Sequence, residues 1–282
     1  MSDADPNLPL PESDAAAPAP APPSAPVSLL PEDLRVPWNW TDVLIFLCFS
    51  VGILVVLEYT MQTFLLTTGR VTLKNLPAFT SSTVYVAVRQ FLWFMLLLVF
   101  LAFTLRPRRD APFWDTIGWR PPSIGELSRV TFYPLCLFGG AVLAIVIATA
   151  SNFMAPKGPL PIQQFFLDQQ SIYLMAVMAV LVAPIAEETV FRGFLYPVFG
   201  RSLGIPGGVL LTGILFGLMH AQQLWGGWAQ IGLLVLVGVI FTFVRARTRS
   251  VIPCYLLHFG YNAIQFVGFF FSDQFHKLPL IR

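Results

Sequence analysis

Three short patterns in the second half of the chain could do chemistry. They are Glu187-Glu188-x-x-x-Arg192, Phe216-x-x-x-His220 and His258-x-x-x-Asn262. Each falls within a strongly apolar stretch, and two of the chain's three histidines belong to them. An ionisable group at membrane depth costs roughly 2.5 to 3.5 kcal/mol on insertion scales unless it is paired or at work. A cluster of such groups is a site hypothesis by default.

The spacing divides the roles. Glu187 and Glu188 are adjacent, so on a helix their side chains diverge by about 100°. Arg192 follows Glu188 by one turn and shares its face. Glu188 is therefore expected to pair with Arg192 and leave Glu187 to face the site. Phe216 and His220 also share a face, so the phenyl ring can hold the imidazole rotamer. His258 and Asn262 do the same and offer two N–H groups to one point, as an oxyanion hole requires. The chemistry this suits is amide hydrolysis: Glu187, alone or with His220, takes a proton from water, and His258 and Asn262 bind the oxyanion. An alternative is a zinc ion held by Glu187, His220 and His258 with a water in the open position. The spacing leaves both open. Neither a His-Glu-x-x-His helix nor a Gly-x-Ser-x-Gly elbow is present.

The elements that position these groups belong to a membrane. The chain is 56% hydrophobic and 11% charged, with a mean hydropathy of +0.70, where soluble domains carry about 25% charge. Seven apolar stretches stand out, near residues 41–64, 84–105, 130–150, 171–195, 206–220, 229–245 and 251–271. The expected fold is all-α, a polytopic transmembrane bundle of about seven or eight spans. With a turn near Leu203, Glu187 and His220 each lie roughly 25 Å along their helices, at matched depth. Glu58 and Arg89 are expected to neutralise each other across the first hairpin. Residues 1–36, rich in Pro, Ala and Ser, read as a disordered tail rather than a signal peptide. The loop 106–129, with Trp114 and Trp119, reads as a segment lying at the interface. A cytoplasmic N-terminus puts 11 Lys and Arg on the cytoplasmic side and 5 on the other, as the positive-inside rule prefers. A net charge of +2 argues against a nucleic-acid partner. Cys48, Cys136 and Cys254 read as small buried hydrophobes, not a disulfide framework or a zinc knuckle.

At the three patterns the sequence resembles the CPBP intramembrane proteases, also called the Abi or CAAX-protease family, which are related to the type II CAAX prenyl endopeptidases. Their motifs E-E-x-x-x-R, F-x-x-x-H and H-x-x-x-N/D appear here as Glu187-Glu188-Thr189-Val190-Phe191-Arg192, Phe216-Gly217-Leu218-Met219-His220 and His258-Phe259-Gly260-Tyr261-Asn262. The resemblance spans roughly residues 170–270, and the segment Phe113–Pro121 is similar to one these proteins carry upstream. It implies Glu187, His220, His258 and Asn262 as catalytic residues, with Glu188 and Arg192 in support; Phe216 joins the support by its spacing from His220. Members have been described both as metalloproteases and as metal-free glutamate proteases, so zinc stays open. The resulting division is a tail at 1–36, N-terminal spans and interfacial loop at 37–125, a catalytic membrane core at 126–272 and a C-terminal tail at 273–282. The expected activity is an intramembrane endopeptidase acting on a membrane-embedded or lipidated protein, prenylated or not. The location is a multi-pass membrane protein, in the inner membrane if bacterial. The alternative is a non-enzymatic scaffold or a bacteriocin self-immunity protein. A transporter would be expected to show inverted repeats, and the sequence shows none.

Overall fold

The computed structural model of the protein describes residues 31–105, 112–125, 128–154 and 158–279. The expected tail up to residue 30 lies outside the described residues, as do Arg106, Arg108, Arg109, Lys157 and Arg282 of the charge argument. Every regular element among the described residues is helical.

Helix α1 (Trp40–Thr67) opens with a capping box. Asn39 Oδ1 accepts from the Thr41 N–H at 2.8 Å, and Asp42 Oδ2 accepts from the Asn39 N–H at 2.8 Å. These bonds satisfy N–H groups that the first helical turn leaves without partners. α1 turns back through the short α2 (Leu76–Thr80) into α3 (Thr83–Leu105). Glu58 and Arg89 meet across this hairpin at 2.9 Å, with Gln62 and the Tyr85 hydroxyl also donating to Glu58. The outward side chains of α1, including Leu44, Val51, Val55 and Phe64, are exposed. Such a face is stable only against lipid.

The short α4 (Phe113–Thr116) precedes α5 (Arg129–Phe153). A 51-residue helical run, Gln169–Met219, follows. It contains α6 (Gln169–Val177), α7 (Ala183–Glu188) and α8 (Tyr196–Met219), with π-helical turns at Met178–Val182 and Thr189–Leu195. Then come α9 (Trp228–Thr248), α10 (Ile252–Phe270) and α11 (Asp273–His276). Among the described residues, five helical runs are long and apolar enough to cross a membrane: α1, α3, α5, Gln169–Met219 and α9. The expectation of seven or eight spans counted differently for two physical reasons. The long run breaks at Gly204, whose φ of 73° only glycine adopts without strain, so it folds into two legs. α10, at 19 residues, is interrupted by His258, Asn262 and Gln265 and falls short on apolarity.

α10 packs most closely on α5. A methyl group at Gly140 would overlap the Leu257 carbonyl, and one at Gly260 would overlap that of Leu137. Small residues at a crossing let membrane helices approach and gain dispersion contact where lipid provides no hydrophobic drive.

Two sequence readings need correction. Residues 31–36 are not tail: Glu32–Leu34 form a 3-10 turn, and Leu34 and Val36 are buried. Asp33 pairs with Arg245 at 2.7 Å. The segment 113–125 does not simply lie at the interface. Ile117 is buried against Gly193, the Val251 N–H donates to Gly118 O at 2.8 Å, and the Trp119 indole donates to Thr189 Oγ1 at 2.9 Å.

Candidate active site

The two π turns beside Glu187 and Glu188 follow from proline placement. In the first, the Ala183 N–H bonds to Met178 O, one residue further back than in an α-helix. The next N–H, which Ala179 O would use, belongs to Pro184 and does not exist. Ala179 O is left for a partner from outside, and Asn262 Nδ2 donates to it at 2.7 Å. The second turn repeats the device. The Tyr196 N–H bonds to Phe191 O, Pro197 has no N–H, and Arg192 O accepts from Arg245 Nε at 3.1 Å. Carbonyls freed by π turns, which are common at functional sites, thus tie the helix carrying both glutamates to α9 and α10.

Glu187, Phe216, His220, His258 and Asn262 line one cavity of about 560 Å³. Glu188 and Arg192 stand behind it, both fully buried. Arg192 Nη1 donates to Glu188 Oε1 at 2.9 Å, its Nη2 to Gly238 O at 3.0 Å and its Nε to Thr242 Oγ1 at 3.2 Å. The guanidinium carbon lies 4.4 Å from the centre of the Phe216 ring. This pairing is the one the i, i+4 spacing predicts, and the hydrogen bonds and ring contact offset the desolvation of a buried charge.

Glu188 has a second duty that the spacing does not reveal. Its Oε1 also accepts from His258 Nδ1 at 2.8 Å. A carboxylate oxygen only accepts, so the Nδ1 proton of His258 is committed there and Nε2 faces the cavity. Glu187 Oε2 lies 3.9 Å from that Nε2, is buried, and makes no hydrogen bond within the protein. The gap is too long for a hydrogen bond. Both atoms can instead reach one water or substrate atom. On the third helix, His220 Nδ1 donates to Phe216 O at 2.9 Å, because a carbonyl too can only accept. This leaves His220 Nε2 as an acceptor. The Phe216 ring stands 5.1 Å from the His220 ring and 5.7 Å from the His258 ring, and so packs beside both imidazoles.

The oxyanion-hole reading changes in detail. The Nδ1–H of His258 is spent on Glu188, so His258 can donate into the cavity only from Nε2, carrying both ring protons. One N–H of Asn262 is spent on Ala179 O and the other is left. The zinc alternative needs Glu187, His220 and His258 to converge. Among the described residues no three His, Cys, Asp or Glu side chains form a group that could hold a metal ion.

Sequence reasoning missed Asp33, Arg245, Thr242 and the paired prolines. Asp33 lay at the end of a low-complexity tail, and Arg245 and Thr242 belong to no motif. Pro184 and Pro197 could have been noticed, because each stands five residues after a carbonyl that needs a new donor.

The fold and site define a class: a multi-pass α-helical membrane protein with an acid–histidine cluster buried among its helices. Residues 169–264 match the family described as type II CAAX prenyl endopeptidase Rce1-like. The matched segment contains all three motifs. No curated protein and no solved structure matches the chain.

Proposed function

We propose that the protein is an intramembrane endopeptidase that hydrolyses a peptide bond of a membrane-associated protein or peptide. The observation that carries this reading is Glu187 Oε2, buried and without a protein hydrogen bond, 3.9 Å from His258 Nε2 on the floor of a cavity. A carboxylate placed this way suits a general base.

In the proposed reaction, a water binds between Glu187 and His220 Nε2. Glu187 takes one of its protons as the oxygen attacks the scissile carbonyl. The carbonyl becomes a tetrahedral oxyanion, which accepts from the remaining N–H of Asn262 and from the Nε2–H of His258 when that nitrogen carries a proton. Collapse breaks the C–N bond, and the proton held by Glu187 passes to the leaving amine. Glu188 orients His258 through Nδ1 and, with Arg192, fixes the helix that carries Glu187. Donors fixed in a site away from bulk water need not reorganise as charge develops.

The test compares protein termini in membranes of cells producing the wild type or Glu187→Ala at equal level. Termini found only with the wild type are expected. Identical termini in the two membranes, with both proteins folded, would overturn the protease reading.

A further inference from the structure

The cavity belongs to one end of the bundle. Contacts between distant segments define the two ends. At the first, Arg201 donates to Val36 O and Trp38 O, Asp33 pairs with Arg245, and the Ser123 N–H donates to Thr248 O. At the second, the Ile162 N–H donates to Gln223 O, Gln230 donates to Ser151 O and Met154 O, and Gln169 donates to Leu278 O. The site's polar rim comes from the second end: Ser151, Asn152, Gln223 and Gln230 all line the cavity. No residue of 33–40, 113–125, 196–204 or 242–254 lines it. Below the floor, Arg192, Thr242, Arg245, Tyr196 and Trp38 close the first end with side chains at most 2% exposed.

The two ends differ in charge. Six described cations outside the core lie at the first end: Arg35, Arg120, Arg129, Arg201, Arg247 and Arg249. Three lie at the second: Arg70, Lys74 and Lys277. Arg192 and Arg245, both among the 11 cytoplasmic Lys and Arg of the sequence count, are buried in the core and drop out. Lys and Arg near span ends favour the cytoplasmic side. Exposed Trp225 and Trp228 flank the rim, where indoles mark a membrane–water boundary.

We infer that the cavity takes its substrate from the non-cytoplasmic face of the membrane. The substrate class is the juxtamembrane peptide segment of an exported or membrane-anchored protein, rather than the lipidated tail of a cytoplasmic one. This rests on the protease reading and deepens it. His258 lies 11 residues before Phe269 on α10, so the floor is about 16 Å below the rim. An extended chain advances about 3.3 Å per residue, so the scissile bond lies about five residues in from the interface.

The experiment uses the full-length chain in intact bacterial cells and a membrane-impermeant maleimide. Cys48 is on the outward face of α1, and Cys136 and Cys254 are buried, so the unsubstituted chain sets the background. Gln223→Cys at the rim and Arg247→Cys at the basic end are labelled with and without permeabilisation. Gln222→Cys stands in if the first rim variant folds poorly. The rim cysteine should react in intact cells and the basic-end cysteine only after permeabilisation. The reverse pattern overturns the inference whatever the protein's activity. The substrate half is read from Glu187-dependent termini. Those in non-cytoplasmic juxtamembrane segments support it. Those in cytoplasmic C-terminal tails overturn it and leave the protease standing. The expected labelling with no Glu187-dependent termini overturns the substrate assignment and the protease reading together.

Discussion

The two adjacent glutamates separate chemistry from architecture. Glu187 has an oxygen free of protein hydrogen bonds in the cavity, whereas Glu188 binds Arg192 and His258 and has no exposure. Glu187→Gln should therefore lower proteolysis by about 10²-fold or more, the scale of a lost general base, with unchanged thermal stability in detergent. Glu188→Gln should do the opposite in proportion. Its amide can still accept from His258, so some activity persists, but Arg192 loses its counter-charge. Breaking a buried pair costs about 3 to 5 kcal/mol, which a melting curve reads as a large drop. Equal activity losses at unchanged stability would contradict this division. Because the proposed mechanism runs through Glu187, His220, His258 and Asn262 with no metal ion, treatment with EDTA or phenanthroline should leave the rate of Glu187-dependent cleavage unchanged. A loss restored by zinc would return Glu187, His220 and His258 to the role of ligands.

At the scale of elements, the active helix is held by carbonyls that its own prolines set free. Pro184 denies Ala179 O a helical partner, and Asn262 takes it. Pro184→Ala supplies an N–H that can compete with Asn262. The expected result is a folded protein with reduced activity, and adding Asn262→Ala should cost little more, because the two changes act on one contact. Additive losses would show that the proline and the asparagine act separately. The i, i+4 logic made the Glu188–Arg192 contact legible in the sequence, and it placed Phe216 beside His220 correctly. The same logic could not reveal the Glu188–His258 bond, since it joins residues 70 apart.

At the scale of the molecule, the site is sealed on one side by a chain of contacts that begins before the first long helix. Asp33 holds Arg245, Arg245 holds Arg192 O, and Arg192 holds Glu188. Arg245 is 2% exposed and Asp33 7%, so Asp33→Asn leaves a buried cation short of its carboxylate. The melting temperature should fall, by the same argument that applies to any buried pair opened on one side. Asp33→Glu, which keeps the charge, should recover part of the loss. An unchanged melting temperature for Asp33→Asn would show that the 3-10 turn is an ornament of the fold and not a clamp on it.

Composition and spacing determined that this chain is a helical membrane protein, where its apolar stretches begin and end, and which seven residues stand in the three motifs. They could do so because lipid imposes one rule on every residue of a span, and because helical faces repeat every few residues. Only the tertiary structure decided that Glu188 serves His258 as well as Arg192, that one N–H of Asn262 is committed to Ala179 O, and that residues 31–36 belong to the core. It also decided that the long run folds back at Gly204 and that the cavity belongs to the end opposite most of the described arginines. These are contacts between segments far apart in sequence. Local periodicity carries no record of them, because they depend on how whole helices cross.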